Sequence, residues 1–179
     1  MGIDIVLLEA DSWPFWEPVM SGKPASEDEF CQAVGRVSVI AATCDLILVN
    51  ILRVISAMDH QTAKDIYYSL DAQSARRKII LKMAQRQLSQ DNIDIVESIF
   101  DAAHRIATKR NELAHSTIMK MDDGHFSRLH LRNHAQPQRP ITEDYLRSMV
   151  DPAWADLGAS FDNYENLCKQ LGVSPQISV

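Results

Sequence analysis

The hydrophobic and polar positions of this 179-residue chain repeat mainly with helical spacing. Residues 26–29 read SEDE, a capping box in which the serine and the last glutamate cap each other's backbone amides at the start of a helix. Apolar residues then continue almost without interruption to Ala57, so we predict one long helix of about 45 Å. Because residues 37–55 are apolar on nearly all sides, other helices or a second subunit should surround this helix.

The same spacing predicts four further helices. They cover residues 61–70, 72–88, 92–115 with Asp91 as the N-terminal cap, and a last segment that follows Thr142. We expect the last helix to be broken at Asp151-Pro152, because proline cannot donate a backbone hydrogen bond, and to be closed by Gly172.

Between the last two predicted helices the spacing changes from helical to alternating. Residues 117–132 alternate around the turn sequence Asp122-Asp123-Gly124, which is typical of a β-hairpin. Alternate positions of a strand face opposite sides, so one side of this ribbon should be apolar and the other basic. The predicted basic side consists of Lys120, Arg128, His130 and Arg132.

These elements predict an all-α fold, a helical bundle with a small β-hairpin insertion near residues 117–132. Residues 1–25 contain three prolines around Trp13, Phe15 and Trp16, which favours an extended arm whose aromatic side chains cover the bundle. We find no internal repeat and no long linker in residues 26–172, so these residues are predicted to form a single helical domain.

The composition and the cysteines exclude several classes of protein. Apolar residues make up 46% of the chain, with 6 Gly and 7 Pro, so collagen-like and mainly disordered classes are excluded. Three widely spaced cysteines without a C-x-x-C pair favour neither a disulfide framework nor a cysteine-based zinc site. This cysteine usage is typical of a reducing cytoplasm.

The apolar segments of the chain do not predict export or a membrane anchor. The first ten residues lack a basic residue and contain Asp4, unlike a secretory signal. The apolar stretch 37–57 contains Asp45, Asn50 and Arg53, which are costly in lipid. We therefore interpret this stretch as a central core helix and expect a cytoplasmic protein.

The charge is unevenly distributed along the chain. The net charge is −6, which argues against unselective binding to a phosphate backbone. Residues 76–139, however, hold 12 Lys and Arg against 7 Asp and Glu. The basic charge is thus concentrated in the second half of the chain, around the fourth predicted helix.

Two stripes of the fourth predicted helix contain the residues that are candidates for a functional site. The apolar stripe contains Arg110, and an arginine there needs an acidic partner, solvent at an interface, or a bound anion. Arg110 and His115 are about 140° apart on an ideal wheel, but a long side chain and a frayed last turn can bring both to one groove, particularly at a two-fold interface. The apolar stripe consists of Val96, Ile99, Ala103, Ile106 and Leu113, and the second stripe of His104, Thr108, Asn111 and His115.

Residues 110–115, RNELAH, resemble the R-x(4–6)-H motif of HEPN domains, in the form in which a polar residue follows the arginine. Only this copy of the pattern has asparagine after the arginine and lies near the end of a long predicted helix. The resemblance is specific for these six residues and loose for the helical layout of residues 26–171. The same loose spacing occurs at Arg53 with His60 and at Arg128 with His134.

The resemblance implies an antiparallel helical bundle that forms a homodimer through its motif helices. In active HEPN members the two motifs of a dimer form a metal-independent endoribonuclease site, found in toxins, defence proteins and RNA-processing factors. It therefore implies RNA as the substrate, an antitoxin as partner if the protein is a toxin, and neither cofactor nor metal. Other members have no known nuclease activity, so a non-catalytic dimeric module that binds RNA or a protein stays the alternative.

Metal-free RNA cleavage needs a base for the ribose 2′-OH, a cation beside the phosphate and an acid for the leaving oxygen. His115 would act as base, with His115 of a second copy as acid, and Arg110 would hold two phosphate oxygens. Asn111 would orient the phosphate or the imidazole. The predicted contacts to the RNA backbone are Arg105, Lys109, Lys120, Arg128 and Arg132.

Purely structural interpretations of the same residues are also open. Arg110 can pair with a carboxylate in the core or across a dimer, and His115 can cap the carbonyl groups of its own helix end. Asp45 and Asn50 of the first helix can either support Arg110 or set the register of the helix. The three histidines between residues 125 and 134 offer no fixed ligand geometry, so we predict no metal site.

Overall fold

A computed structural model describes residues 22–115, 117–120, 126–129 and 139–175, with the backbone alone for the residues between 117 and 140. Its helices confirm the predicted all-α class. The elements in chain order are α1 (Glu27–Ser56), α2 (His60–Ser69), α3 (Gln73–Gln87), α4 (Gln90–Ala114), β1 (Thr117–Lys120), β2 (Phe126–Leu129), β3 (Arg139–Pro140) and α5 (Glu143–Gln170).

The start of α1 is the predicted capping box. The Glu29 amide donates to the Ser26 hydroxyl at 3.2 Å, and the Ser26 amide donates to the Glu29 carboxylate at 2.7 Å. The Ser26 amide, together with the Ser26 hydroxyl that donates to the same carboxylate at 2.9 Å, holds the pKa of Glu29 below its ordinary value. Two backbone donors that have no partner within the helix are thereby satisfied, which fixes the first turn of α1.

The core of the fold is a bundle of α1, α4 and α5. Helix α4 runs antiparallel to α5, since Glu112 accepts from Tyr145 at one end and Asn163 donates to Ser98 at the other. Helix α1 is antiparallel to α4, because its first turns share an apolar cluster with Leu113 near the end of α4. Of the remaining helices, α2 packs on α1, and α3 packs on both α1 and α4.

Helix α1 is enclosed on all sides only in its second half. Residues 47–52 are all buried, and Tyr67 of α2 donates to Asp45 at 2.6 Å. In the first half, Val39 is 63% exposed. Among the described residues, other helices therefore surround α1 only from the level of Asp45 onward, where α2 covers it. That a second subunit covers the first half of residues 37–55 stays a prediction.

By length and composition alone, α1 could also cross a membrane. Its most apolar 18-residue window has a mean hydropathy of 2.0, and half of that window is buried in the bundle. Central helices of helical bundles have the same length and composition. This feature is therefore weak evidence for a membrane span.

The two ends of α5 agree with the sequence, whereas the start of α4 does not. Thr142 caps α5 through its hydroxyl, and Gly172 ends it with φ 67 in a Schellman motif, in which the Val173 amide donates to the Cys168 carbonyl at 3.0 Å. Helix α4 begins at Gln90, so the prediction of Asp91 as its cap is wrong. Asp91 lies instead in the first turn, where its charge favours the helix dipole.

The predicted break of α5 at Asp151-Pro152 is also wrong, since the helix is continuous through Pro152. Proline lacks the N–H group that would donate to the carbonyl four residues earlier, which is that of Ser148. The Lys109 ammonium of α4 donates to this same carbonyl at 3.4 Å. A side chain from another helix thus replaces the hydrogen bond that Pro152 cannot make.

Substitution of Lys109 by methionine is expected to destabilise the protein by about 1 kcal/mol, because the Ser148 carbonyl loses its donor. In a Pro152→Ala background the same substitution should cost much less, since the introduced alanine supplies the missing backbone N–H. Urea unfolding of the four variants of this double-mutant cycle measures the coupling. Equal costs in both backgrounds would show that Lys109 does not compensate for the proline.

Helix α1 ends at Ala57, a non-glycine residue with φ 54 in the left-handed region. This backbone conformation costs an L-residue about 1–2 kcal/mol, whereas glycine adopts it freely at an entropic cost of about 0.4–1 kcal/mol. We expect Ala57→Gly to raise the free energy of unfolding by about 0.5–1 kcal/mol. Ala72→Gly, at a cap with φ −101, serves as the control in the same urea titration and should give no gain.

Among the described residues, three short strands lie between α4 and α5. Strand β1 pairs antiparallel with β2, with Thr117 opposite Leu129 and Lys120 opposite Phe126, and β2 pairs antiparallel with β3. The predicted turn at 122–124 and the whole of residues 130–138 lie outside the described residues. The apolar and basic faces expected for the ribbon therefore stay a prediction.

The end of the predicted N-terminal arm is extended and pairs with the chain that enters α5. The Ala25 amide donates to the Ile141 carbonyl at 2.9 Å, and Pro24 forms a bridge with Thr142. Residues 1–21 of the arm lie outside the described residues. The division into an arm of residues 1–25 and a domain of residues 26–172 remains a prediction.

Candidate functional site

The candidate site lies at the C-terminal end of α4, where the apolar stripe of the helix reaches the surface. All five apolar residues of this stripe are buried, as predicted. Ala103 is 5% exposed, Ala107 is half-buried, and Arg110 and Ala114 are exposed. In the last turns of α4 the bundle therefore covers the side of Leu113, which is 1% exposed, and leaves the side of Arg110 open, so the guanidinium is not in the core.

Arg110 makes no hydrogen bond and no ion pair with the residues that the structure describes. Neither of the α1 residues considered as its partner makes a hydrogen bond or an ion pair with it. Asp45 accepts the hydroxyl of Tyr67, and the Asn50 amide donates to the Leu46 carbonyl of its own helix at 2.8 Å. The interpretation that these two residues support Arg110 is therefore wrong.

Asn111 and His115 follow on the second stripe, and both are exposed. Their four-residue spacing makes them neighbours on the helix surface. His115 is the C-cap of α4, and its backbone amide donates to the Asn111 carbonyl at 3.0 Å. Its imidazole makes no hydrogen bond to the described part of the chain, so capping of the helix end by this side chain is not observed there.

The other two residues of the second stripe are also at the surface. His104 is exposed, and Thr108 is exposed with its hydroxyl donating to the His104 carbonyl at 2.9 Å. The whole second stripe therefore forms an accessible polar face. This face ends at Asn111 and His115.

Arg105 and Lys109, predicted to contact RNA, are both engaged with α5. Arg105 donates to the Asp156 carboxylate through Nη2 at 2.7 Å and Nε at 3.1 Å. This pairing raises the pKa of Arg105. Because Lys109 donates to the Ser148 carbonyl, both cations hold α4 against α5, and Arg110 is the cation of these three that stays unpaired among the described residues.

The remaining predicted RNA contacts lie in the strand region. Lys120 ends β1 and Arg128 lies in β2, two strands for which the structure describes the backbone alone. Arg132 and the three histidines between residues 125 and 134 lie outside the described residues. Their contribution to a site stays a prediction.

Two features of the site were not predicted from the sequence. Tyr145, on the first turn of α5, donates to the Glu112 carboxylate at 3.2 Å and so anchors the last turn of α4. Two alanines, Ala107 and Ala114, lie three residues before and four residues after Arg110 and share its stripe. This spacing of alanine around arginine is visible in the sequence and marks a helix surface that another helix can approach closely.

The arrangement offers a guanidinium, an amide and an imidazole at one helix end. An unpaired guanidinium can hold two phosphate oxygens through its planar fork, and an exposed imidazole can act as a base or an acid. The described residues of one copy contribute one such imidazole at this helix end. Within the described residues, no group of three His, Cys, Asp or Glu side chains could hold a metal ion.

The chain was compared with protein-family models, with curated proteins and with solved structures. None of the three comparisons finds a match.

Proposed function

We propose that this protein is a HEPN-like endoribonuclease that cleaves RNA without a metal ion, as a toxin or defence effector of the cytoplasm. The observation that supports this function best is the exposure of Arg110, Asn111 and His115 at one end of α4, with no described partner for the arginine. The motif RNELAH and the helical bundle support the same family assignment.

The unpaired state of Arg110 favours an external anion over a structural role. An arginine that held the bundle together would pair with a carboxylate, as Arg105 does with Asp156. Arg110 has the same kind of side chain on the same helix and no such pair among the described residues. Its location on the open side of the last turns of α4 leaves the guanidinium accessible to a phosphate or to a second copy of the chain.

The proposed active form is a two-fold homodimer through α4. The described residues of a single copy supply one imidazole at this end of α4, whereas the reaction needs a base and an acid. Ala107 and Ala114 flank Arg110 with small side chains, so α4 of a second copy can approach closely. A two-fold axis beside Arg110 would then bring two copies of Arg110 and His115 to one cleft.

In this dimer, His115 of one copy takes the proton of the ribose 2′-OH, and the 2′-oxygen attacks the phosphorus atom. Arg110 stabilises the charge that develops on the phosphate oxygens, and Asn111 orients the phosphate or the imidazole. His115 of the second copy gives its proton to the leaving 5′-oxygen. The products are a 2′,3′-cyclic phosphate and a 5′-hydroxyl.

Incubation of the purified protein with RNA in EDTA tests this function. The proposal predicts cleavage, since no metal takes part. RNA binding without cleavage would favour the non-catalytic dimeric module, with Lys120, Arg128 and Arg132 of the strand region as additional RNA contacts. If the protein neither cleaves nor binds RNA, Arg110 has a role only in stability or in the dimer.

A further inference from the structure

A groove lies between the first halves of α1 and α5, away from the exposed end of α4. Its volume is about 150 Å³. Its apolar floor consists of Ala33, Leu146 and Val150, all buried. Arg36 and Asp151 lie on opposite sides of the groove, one on each helix.

The groove continues into an apolar exposed surface. Val39 is 63% exposed and Trp154 is 52% exposed, the two highest exposures among the large hydrophobic side chains that the structure describes. Each lies three residues after a groove residue of its own helix, namely Arg36 and Asp151, and positions three apart share a helix face. Such exposed apolar side chains beside a groove mark a surface that another segment covers.

The N-terminal segment of this chain reaches the bundle at the mouth of this groove. The Lys23 ammonium pairs with Glu143, which lines the groove, at 2.6 Å. The Glu143 amide also donates to the Lys23 carbonyl at 3.0 Å. A Cβ atom placed on Gly22 would lie 3.1 Å from the Asp144 carboxylate, so the chain passes closely along the start of α5.

The length of the segment fits the length of the groove. Five residues separate Gly22 from Trp16, and the six steps from one Cα atom to the next span up to about 20 Å when extended. Glu143 and Trp154 are about 16 Å apart along α5. Pro18 in this stretch and Pro14 in the aromatic run favour an extended backbone, so the aromatic residues can reach the level of Trp154.

The charges of the segment and the groove are complementary. Residues 1–21 contain four acidic residues and no basic residue. Arg36, on the groove, makes no ion pair with the described residues. Glu17 directly follows the aromatic run and can pair with this guanidinium.

We propose that residues 13–16, WPFW, dock within the same chain on the surface formed by the α1–α5 groove, Val39 and Trp154. The aromatic side chains cover these two exposed hydrophobic side chains, and the acidic residues of the segment face Arg36. This inference is independent of the proposed nuclease function, because the groove and the end of α4 are separate surfaces.

Tryptophan fluorescence of the full chain tests the proposal. The chain has three tryptophans, so a Trp154→Phe variant leaves Trp13 and Trp16 as reporters. It also keeps an aromatic ring on the exposed surface beside the groove. Adding Val39→Glu to this variant places a charge on the apolar surface and should raise the acrylamide quenching constant about twofold, because the aromatic rings return to water. Ile79→Glu, at a hydrophobic side chain of α3 that is 36% exposed, is the matched control and should leave quenching unchanged.

Three results would overturn the proposal. The first is quenching in the parent variant that equals quenching in concentrated urea. The second is an equal effect of Val39→Glu and Ile79→Glu. The third is quenching protection that disappears on dilution of the protein, which would assign the surface to a second copy of the chain. Circular dichroism of each variant confirms that the bundle is folded.

Discussion

Replacing His115 with alanine is expected to reduce RNA cleavage by about 10³-fold or more, since a positioned acid or base contributes 10²–10⁴-fold. In a two-fold dimer, one substitution removes the base of one copy and the acid of the other. Arg110→Ala should cost about 10²–10³-fold, the loss expected when one group that stabilises transition-state charge is removed. Initial rates of cleavage of a labelled RNA in EDTA measure both effects.

Two matched control substitutions distinguish a loss of catalysis from a loss of folding and from a general loss of positive charge. His104→Ala removes an exposed histidine from the same stripe, and Arg86→Ala removes an exposed arginine from α3. Both should retain cleavage within a few-fold of the parent. Cleavage by His115→Ala at the parent rate, or an equal loss in His104→Ala, would remove His115 from the site.

The second large effect is expected from Ala107→Gln, which should weaken the dimer about 100-fold or more. The added side chain overpacks a close helix contact twice, once in each copy, and overpacking costs about 1–3 kcal/mol per site. Cleavage should fall in proportion to the lost dimer and recover at high protein concentration, because the substitution leaves Arg110 and His115 in place. Sedimentation equilibrium and cleavage rates over a range of protein concentrations measure the two effects.

Ala155→Gln is the matched control for the dimer, because Ala155 is exposed on α5 and the proposed interface does not include it. This variant should retain the parent's dimerisation and cleavage. Full activity of a parent protein that sediments as a monomer would contradict an active site formed by two copies of the chain. Equal weakening by both alanine substitutions would place the interface elsewhere.

The sequence predicted helices where local signals determine them. The capping box at 26–29 starts α1, and Thr142 and Gly172 mark the two ends of α5, because each of these signals acts within a few residues of the chain. The continuity of α5 through Pro152 was not predictable in this way. It depends on Lys109, which belongs to a different helix and is 39 residues away from Ser148 in the sequence.

The sequence predicted where the candidate site lies on α4, but not which of its side chains are buried or paired. Periodicity placed Arg110, Asn111 and His115 near the end of α4, where the structure has them. Whether a cation on an apolar stripe is buried depends on which side of α4 the neighbouring helices cover at that level. Likewise, Arg105 forms its ion pair because Asp156, 51 residues later in the chain, lies opposite it. The spacing of residues along α4 alone contains no information about that partner.

The chemical ends of the RNA fragments distinguish the proposed mechanism from other routes of cleavage. We expect the purified dimer, in EDTA, to produce fragments with 2′,3′-cyclic phosphates and 5′-hydroxyls, as measured by mass spectrometry of the products. Such ends require the neighbouring 2′-oxygen as nucleophile, the role that Arg110 and His115 are proposed to support. Fragments with 3′-hydroxyls and 5′-phosphates, or RNA that stays intact, would contradict it.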